Sequence, residues 1–251
     1  MFNLKSVKTQ LIIYLSSFAF FLIIKDRDFT FLKVFLVALV SALALESAIL
    51  YLKNRSIQIT ESSIITGLII GYVLSAEDVV WKIIFASFAA ILSKQMLSFK
   101  NKHIFNPAAF GIFFAIILFG ASTGWKGTYL WYILAPCGFY FAYKIKKIEV
   151  ITGYAVISLL MFGTQAILQK VNFWNIFGYF SYFYIFVMVI EPKTSPVKPI
   201  GKYLFGAGAA GLIFILSEAG MKYDVELFSL LIMNSTVPLL NKLSLRRGGI
   251  G

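Results

Sequence analysis

Apolar residues run through this chain in long stretches that clusters of polar and charged residues interrupt. A helix of about 20 apolar residues is long enough to cross the hydrocarbon core of a bilayer. The pattern therefore predicts ten membrane-spanning helices, with ends that are accurate to a few residues. The predicted spans are 9–24, 31–52, 64–75, 79–97, 107–120, 129–143, 150–168, 173–190, 203–217 and 225–240.

Two of the predicted spans are short and carry helix-breaking or small residues. The span 64–75 contains Gly67 and Gly71, and the span 107–120 begins at Pro107, directly after Asn106. Asparagine is a favoured N-cap and proline a favoured first helical residue, so a helix N-terminus with free N–H groups is expected there. The preceding loop also has an ordinary explanation, as a solvated basic loop with a capped helix. Its further polar residues are Lys100, Asn101, Lys102 and His103, the only histidine.

The composition is that of an integral membrane protein. Of its 251 residues, 59% are hydrophobic and 14% are charged, whereas soluble domains are usually about one-quarter charged. We therefore predict a single all-α polytopic membrane domain over residues 1–251. One cysteine and one histidine exclude an intramolecular disulfide and a Cys-rich metal site, and no metal site is predicted. The sequence contains no catalytic triad or phosphate-binding loop, so it does not decide whether the chain is an enzyme.

The net charge of +12 is explained by the membrane and not by a nucleic-acid partner. Most of the 23 Lys and Arg residues fall in loops on one side of the ten predicted spans. Cytoplasmic loops carry such an excess, so both termini, HIFNPA (103–108) and EPKTSP (191–196) are expected in the cytoplasm. The predicted location is the plasma membrane, with several crossings.

The two halves of the chain repeat one order of polar motifs. Thr66 precedes Asn106 by the same 40 residues that separate Thr194 from Asn234. Five spans per half is an odd number, so the repeats, at about 9–120 and 129–240, must be inverted across the membrane. Inverted repeats with short or broken helices place a binding site near their interface. The motifs are SSIITG (62–67), FNPAAFG (105–111), EPKTSP (191–196) and MNSTVPLL (233–240).

Two carboxylates and a set of small or hydroxyl residues are candidates for ion coupling and ligand binding. Glu46 lies inside the span 31–52, where a charge must be paired, protonated or functional; it is a proton or sodium site or a partner of Lys94. Glu191 ends an apolar span and is the second candidate. Broken helices bring hydroxyls and bare backbone to the midplane, although capping and close helix packing use the same residues. This set comprises Thr66, Gly67, Thr194 and Ser195.

At HIFNPAAFG (103–111) and EPKTSP (191–196) the chain resembles a known membrane-protein family. That family includes the RnfD membrane subunit of the Rnf electron-transport complex and the NqrB membrane subunit of the sodium-pumping NADH:quinone oxidoreductase. SSIITG (62–67) and SKQM (93–96) extend the resemblance over most of the chain, which looks like a short, stand-alone member. The resemblance implies ten spans in two inverted halves, a bound flavin and coupling of electron transfer to ion movement.

The resemblance also carries expectations for the cofactor. Members with covalent FMN attach it to the Thr of an SGAT motif, and this chain has only GAST (120–123), so covalent FMN is not expected. Non-covalent riboflavin or FMN is carried over onto Asn106 and His103. The span 173–190 is rich in aromatic residues that either stack on a flavin or contact lipid.

The predicted function is that of a flavin-linked redox subunit that moves electrons through or across the membrane, coupled to Na⁺ or H⁺. It requires a redox partner subunit or an extracytoplasmic flavin-domain protein. The alternative is a transporter or channel for a small solute, including flavin itself, that uses the same cavity without redox chemistry. A third interpretation is a scaffold with a degenerate site, in which changes at Glu46, Asn106 or Thr66 affect no activity.

Overall fold

The computed structural model describes residues 3–99, 102–170, 172, 177–178 and 180–243, leaving aside the side chains of Phe99 and Lys102. In this part of the chain nine α-helices, one π-helical segment and a short hairpin follow one another. The helices are α1 (Val7–Asp26), α2 (Phe29–Asn54), α3 (Glu61–Val73), α4 (Val80–Met96), α5 (Pro107–Phe119), α6 (Trp131–Lys144), α7 (Ile148–Leu168), α8 (Pro199–Glu218) and α9 (Val225–Leu243), and the π-helical segment is Tyr184–Val189.

The predicted helical fold class is confirmed, with one small addition. Strands β1 (Ser98–Phe99) and β2 (Lys102–His103) pair antiparallel, with Ser98 opposite His103, inside the polar stretch before α5. Of the predicted span 173–190, residues 173–176 and 179 lie outside the described residues. These include Phe173, Trp174 and Tyr179, and Lys100 and Asn101 of the polar stretch are outside as well.

Four helices are long and apolar enough to cross a membrane: α1, α2, α7 and α8. Helices α3 and α5 are apolar but have only 13 residues each. At 1.5 Å per residue they are about 20 Å long, shorter than the roughly 30 Å hydrocarbon core. Neither short helix can cross the membrane alone, so backbone beyond its ends must find hydrogen-bond partners within the protein.

The chain folds into two compact units, and each is described separately. The first comprises the described part of Met1–His103 together with Pro107–Gly127. Its core is an aromatic cluster around Tyr72 of α3, whose ring lies within 6 Å of those of Phe18, Phe31 and Phe35. The buried Tyr72 hydroxyl donates to the Leu15 carbonyl at 2.6 Å, so α3 is held against both α1 and α2.

Helix α3 begins at a polar cap and packs closely along its length. Thr60 is the N-cap, and its hydroxyl accepts from the Ser63 amide at 3.1 Å. A Cβ added at Gly67 would lie 2.8 Å from the Leu39 Cα of α2. A glycine is therefore required at this helix crossing, and α2 and α3 approach backbone to backbone.

The second unit comprises Ile104–Asn106 and the described part of Thr128–Gly251. Its centre is the α7–α8 crossing, where a methyl group on Gly206 would overlap the Val150 carbonyl oxygen and one on Gly153 would overlap that of Tyr203. In the π-helical segment, the buried Tyr184 hydroxyl lies 3.1 Å from that of Ser229 in α9. Ser229 also donates to the Ala209 carbonyl at 3.1 Å, which ties α9 to α8.

Candidate functional site

Asn234 is the centre of a buried polar cluster in the second unit. Its side-chain oxygen accepts from the Asn106 backbone N–H at 2.8 Å, and its side-chain nitrogen donates to the Thr194 carbonyl at 3.0 Å. Both asparagines are 1% exposed. One amide group thus satisfies a donor and an acceptor from two distant chain segments, which is the arrangement that buried backbone groups require.

The backbone of α9 is also altered at Asn234. Pro238 lies inside α9, four residues after Asn234, and proline has no N–H to donate. The intrahelical hydrogen bond to the Asn234 carbonyl cannot form. Asn234 therefore combines a bridging side chain with a carbonyl oxygen freed from the helix ladder, which is typical of ion-binding and ligand-binding helices in membrane proteins.

The Thr194 carbonyl belongs to a compact turn that follows the π-helical segment. The Ser195 hydroxyl donates to the Glu191 carbonyl at 2.6 Å, and the Thr194 hydroxyl donates to the Glu191 carboxylate at 3.3 Å. Thr194 and Ser195 are buried, whereas Glu191 is half-buried. Of the residues singled out from the sequence, Asn106, Glu191, Thr194 and Ser195 therefore meet in this one cluster.

Two lysines lie at the beginning of α7 and α8, and one of them binds this turn. The Lys147 ammonium donates to the Ser195 carbonyl at 3.3 Å and to the Pro196 carbonyl at 2.5 Å. The Lys202 ammonium donates to the Lys146 carbonyl at 2.6 Å and pairs with the Glu149 carboxylate at 3.2 Å. Positive charge is thus fixed beside the carbonyls of the turn, close to the beginning of α7 and α8.

The first unit holds a different candidate, a buried ion pair at the beginning of α3. Glu46 and Lys94 are 6% and 4% exposed, and the ammonium lies 3.3 Å from the carboxylate. The Thr60 hydroxyl, at the N-cap of α3, donates to the same Glu46 oxygen at 2.9 Å. Burying two charges is costly unless each is hydrogen-bonded, and this geometry meets that condition for the carboxylate. Glu46 is thus a partner of Lys94, and its role as a proton or sodium site stays a prediction.

Thr66 and Gly67 lie within α3, in the first unit. The Thr66 hydroxyl donates to the Ser62 carbonyl one turn back at 2.8 Å, and Gly67 allows the close approach of α3 to α2. His103 lies on β2, half-buried, in the same unit. The structure thus gives Thr66 and Gly67 contacts that belong to helix geometry and packing.

A charged cluster outside the spans fixes the beginning of α2. The Asp28 carboxylate caps this helix by accepting from the Phe31 amide at 2.9 Å and lies 2.8 Å from the Lys126 ammonium. Partial burial raises the pKa of Asp28, but the hydrogen bonds from Lys126, Thr30 and the Phe31 amide outweigh it and lower the pKa to about 2. Partial burial lowers the pKa of Lys126. Its hydrogen bonds to Asp28 and Asp26 outweigh the effect of burial, so the pKa of Lys126 is raised.

Two residues of these clusters make contacts that the sequence pattern did not indicate. The sequence indicated Asn234 only as the repeat counterpart of Asn106, and an ordinary helix kink also explained it. Lys147 was only one of many lysines in loops. The paired MNSTVP and FNPA motifs were the signal that could have identified Asn234. Among the described residues no group of three or more His, Cys, Asp and Glu side chains could hold a metal ion.

Similarity to known proteins extends over almost the whole chain. The model of the NQR2, RnfD, RnfE family matches residues 2–135 and 129–248. A protein of Shewanella amazonensis, named as the RnfD subunit of an ion-translocating oxidoreductase complex, is 24% identical over 296 residues, covering 84% of this chain and 84% of that protein. A protein of the same name from Tolumonas auensis is 39% identical over 62 residues, or 25% of this chain and 18% of that protein.

Proposed function

This chain belongs to the NQR2, RnfD, RnfE family, and from that premise we propose that it is a membrane subunit of an ion-translocating oxidoreductase complex. The family match confirms the resemblance predicted from HIFNPAAFG and EPKTSP. The observation that carries the proposal is that both the family match and the Shewanella amazonensis relative extend over most of the chain. Its apolar helices fit a subunit embedded in the bilayer.

The proposed electron carrier is a non-covalently bound riboflavin or FMN. A flavin supplies the one-electron and two-electron chemistry that protein side chains lack. The edge of its ring system presents both hydrogen-bond donors and acceptors, and side-chain amides complement both. The buried pair Asn106 and Asn234, with the hydroxyl of Thr194, has this chemistry, so these residues are proposed to bind and orient the flavin. His103, which lies in the first unit, stays a separate prediction from the resemblance.

The proposed architecture is ten spans in two inverted repeats. Corresponding helix pairs support it. In the first unit α2 packs on α4 and α4 packs on α5, while in the second α7 packs on α8 and α8 packs on α9. In each unit the third element is short or irregular, α3 in the first and the π-helical segment in the second. A repeated unit requires five elements that pack on one another in the same order in both units.

Ion coupling is proposed at the two buried or half-buried carboxylates that the sequence singled out. Glu46 shares its carboxylate between Lys94 and Thr60, so a change in either partner alters the stability of its charge. Glu191 accepts from the Thr194 hydroxyl within the cluster around Asn234. The coupled ion is proposed to be Na⁺ or H⁺.

The proposed setting is the plasma membrane with both termini in the cytoplasm, as the distribution of Lys and Arg favours. The other subunits of the complex are its proposed partners, and among them a redox subunit or an extracytoplasmic flavin-domain protein would deliver the electrons. The names of the two relatives, which describe one component of a complex, support a multi-subunit assembly.

The flavin proposal is tested by purifying the full chain in mild detergent from flavin-replete cells and measuring flavin before and after acid precipitation. We expect close to one flavin per chain, released into the acid supernatant. Asn234→Leu removes the amide group at the centre of the cluster and should lower the flavin content at least tenfold. The matched control is Asn241→Leu in the same helix, which removes the acceptor of the Val197 amide and should retain the flavin.

Three results would contradict the proposal. Flavin that stays on the precipitated protein indicates covalent attachment. Equal flavin loss in Asn234→Leu and Asn241→Leu places the site elsewhere or reflects general instability. No flavin in either fraction, together with uptake of riboflavin by proteoliposomes, supports the transporter alternative, for which the short helices are also suited.

A further inference from the structure

Three consecutive carbonyls of the turn after the π-helical segment are bound by side chains. The Thr194 carbonyl accepts from Asn234, and those of Ser195 and Pro196 both accept from the Lys147 ammonium. All three turn residues are buried. Backbone outside a regular helix exposes carbonyl oxygens in this way, and such carbonyls are the usual ligands of monovalent cations in membrane proteins.

The position of the Lys147 ammonium is favourable for any single positive charge. Lys147 is 5% exposed, so its charge is largely removed from water. It lies beside the turn that follows the C-terminal end of the π-helical segment, where carbonyl dipoles attract cations. Glu149, in the first turn of α7, adds negative charge nearby, and Lys147 is one of the positive charges that favour its ionised form.

Local backbone geometry fixes Lys147 in this position. Lys146 adopts a left-handed φ of 58°, and the Lys147 backbone N–H donates to the Ala142 carbonyl of α6 at 2.7 Å. This turn ends α6, and Lys147 is the residue directly before α7. A cation at a helix N-terminus is unfavourable on its own. The two carbonyl hydrogen bonds therefore contribute to holding the charge there.

We propose that the Ser195 and Pro196 carbonyls form part of a monovalent-cation site, which the Lys147 ammonium occupies in this conformation. The ammonium acts as a tethered cation, and a free Na⁺ or K⁺ takes its place when the lysine side chain is removed or displaced. The inference deepens the proposed function by naming a place for the coupled ion next to the proposed flavin cluster. Its test uses flavin-free protein, so the two proposals can fail separately.

The test is the thermal unfolding of flavin-free wild-type protein and Lys147→Met in NaCl, KCl and choline chloride at equal ionic strength. Lys147→Met removes the ammonium and keeps the side-chain length. In choline the variant should melt well below the wild type. In NaCl or KCl its melting temperature should rise by about 4 °C or more, with a saturable dependence on cation concentration. The wild type, with its site filled, should not respond.

Asn241→Leu is the matched control. Asn241 accepts from the Val197 amide directly after the turn, so its loss disturbs the same segment without freeing a carbonyl of the site. It should lower the melting temperature equally in all three salts. Lys147→Gln is the second test variant in case Lys147→Met does not fold, and it should show a smaller rescue by NaCl or KCl, because its amide competes for the carbonyls.

The proposal is overturned if Lys147→Met or Lys147→Gln melts at the same temperature in choline chloride as in both metal salts. It is equally overturned if Asn241→Leu gains as much from Na⁺ or K⁺ as the Lys147 variants do, since the effect is then not specific to the two carbonyls. A wild-type response as large as that of Lys147→Met would contradict the assignment of the ammonium as occupant.

Discussion

Single buried charges have a large influence on the stability of a membrane protein. The pair Glu46 and Lys94 illustrates this, because each side chain has little access to water and relies on the other. Replacing both residues of the pair by neutral ones has a different effect from replacing only one of them. The second leaves one charge buried without its partner, which is the costly case.

Glu46→Gln should therefore lower the free energy of unfolding by about 3–5 kcal/mol, because the Lys94 ammonium loses its carboxylate. The double variant Glu46→Gln/Lys94→Met should recover most of that loss. Thermal unfolding followed by far-UV circular dichroism in detergent measures both. Lys53→Met is the control: this exposed lysine donates to Gln95, and its loss should change stability by no more than about 0.5 kcal/mol. A Glu46→Gln protein as stable as the wild type would show that the pair contributes nothing.

Asp28 gives the protein a defined response to acid. Its pKa falls from the usual 3.8 to about 2 in the folded protein, so the stability it contributes is complete above pH 4 and is lost as the pH falls through about 2. Asp28→Asn keeps a helix cap and removes the charge, which should cost about 0.5–1 kcal/mol at neutral pH.

That difference between wild type and Asp28→Asn should shrink as the pH is lowered from 4 towards 2, in unfolding measured across that range. The control is Glu77→Gln, at an exposed position between α3 and α4 of the same unit, and it should change stability by at most about 0.5 kcal/mol. An equal deficit for Asp28→Asn at pH 2 and pH 6 would contradict the assignment of the effect to the carboxylate charge.

The residues of the candidate site could be predicted only partly. The FNPA and EPKTSP motifs identified Asn106, Thr194, Ser195 and Glu191 from the sequence. Their connection through Asn234 could not be predicted, because it depends on a tertiary hydrogen bond across 128 residues of chain. The same holds for Lys147, whose carbonyl partners lie 48 and 49 residues away.

At the scale of helices, close backbone crossings determine which pairs pack. Helices α7 and α8 meet at two glycines, Gly153 and Gly206, each of which faces a carbonyl of the other helix. Without a hydrophobic driving force between helices in lipid, such close contacts supply much of the packing energy. The crossing therefore tolerates no side chain at either position.

Gly206→Ala should force α7 and α8 apart and destabilise the second unit by about 1–3 kcal/mol. Gly211→Ala in the same helix is a matched control, since an added Cβ there meets no atom within 4 Å. The control should be neutral or stabilising by up to about 1 kcal/mol, because alanine favours the helix. Thermal unfolding and the yield of monodisperse protein measure both, and a Gly206→Ala protein that matches Gly211→Ala would contradict the close crossing.

Hydropathy predicted most helix positions. The differences between the predicted and the observed helix starts have physical causes. The prediction began α3 at residue 64, whereas the helix begins at Glu61, because its first turn is polar and is held by the Thr60 cap. Likewise α8 begins at Pro199 and not at 203, since proline is well suited to a first helical turn. The π-helical segment could not be predicted, because no pattern of apolar residues distinguishes it from an α-helix.

At the scale of the whole molecule, the family assignment and the two units lead to one functional account. The apolar helices place the protein in the membrane, and the family connects it with ion-translocating oxidoreductases. The ten spans, the inverted repeats and the cytoplasmic termini remain predictions. The matching order of helix packing in the two units supports only that the fold is repeated. The central claim is that the chain conducts electrons through the membrane by way of a bound flavin.

That claim is tested most directly with flavin-loaded protein in liposomes that contain ferricyanide. Dithionite is added outside, where it is oxidised, and the bleaching of the trapped ferricyanide by reduction is followed by absorbance. The account predicts bleaching at a rate proportional to the flavin content, reduced at least tenfold by Asn234→Leu and unchanged by Asn241→Leu. Trapped ferricyanide that stays oxidised while the bound flavin is fully reduced would contradict electron transfer through this chain.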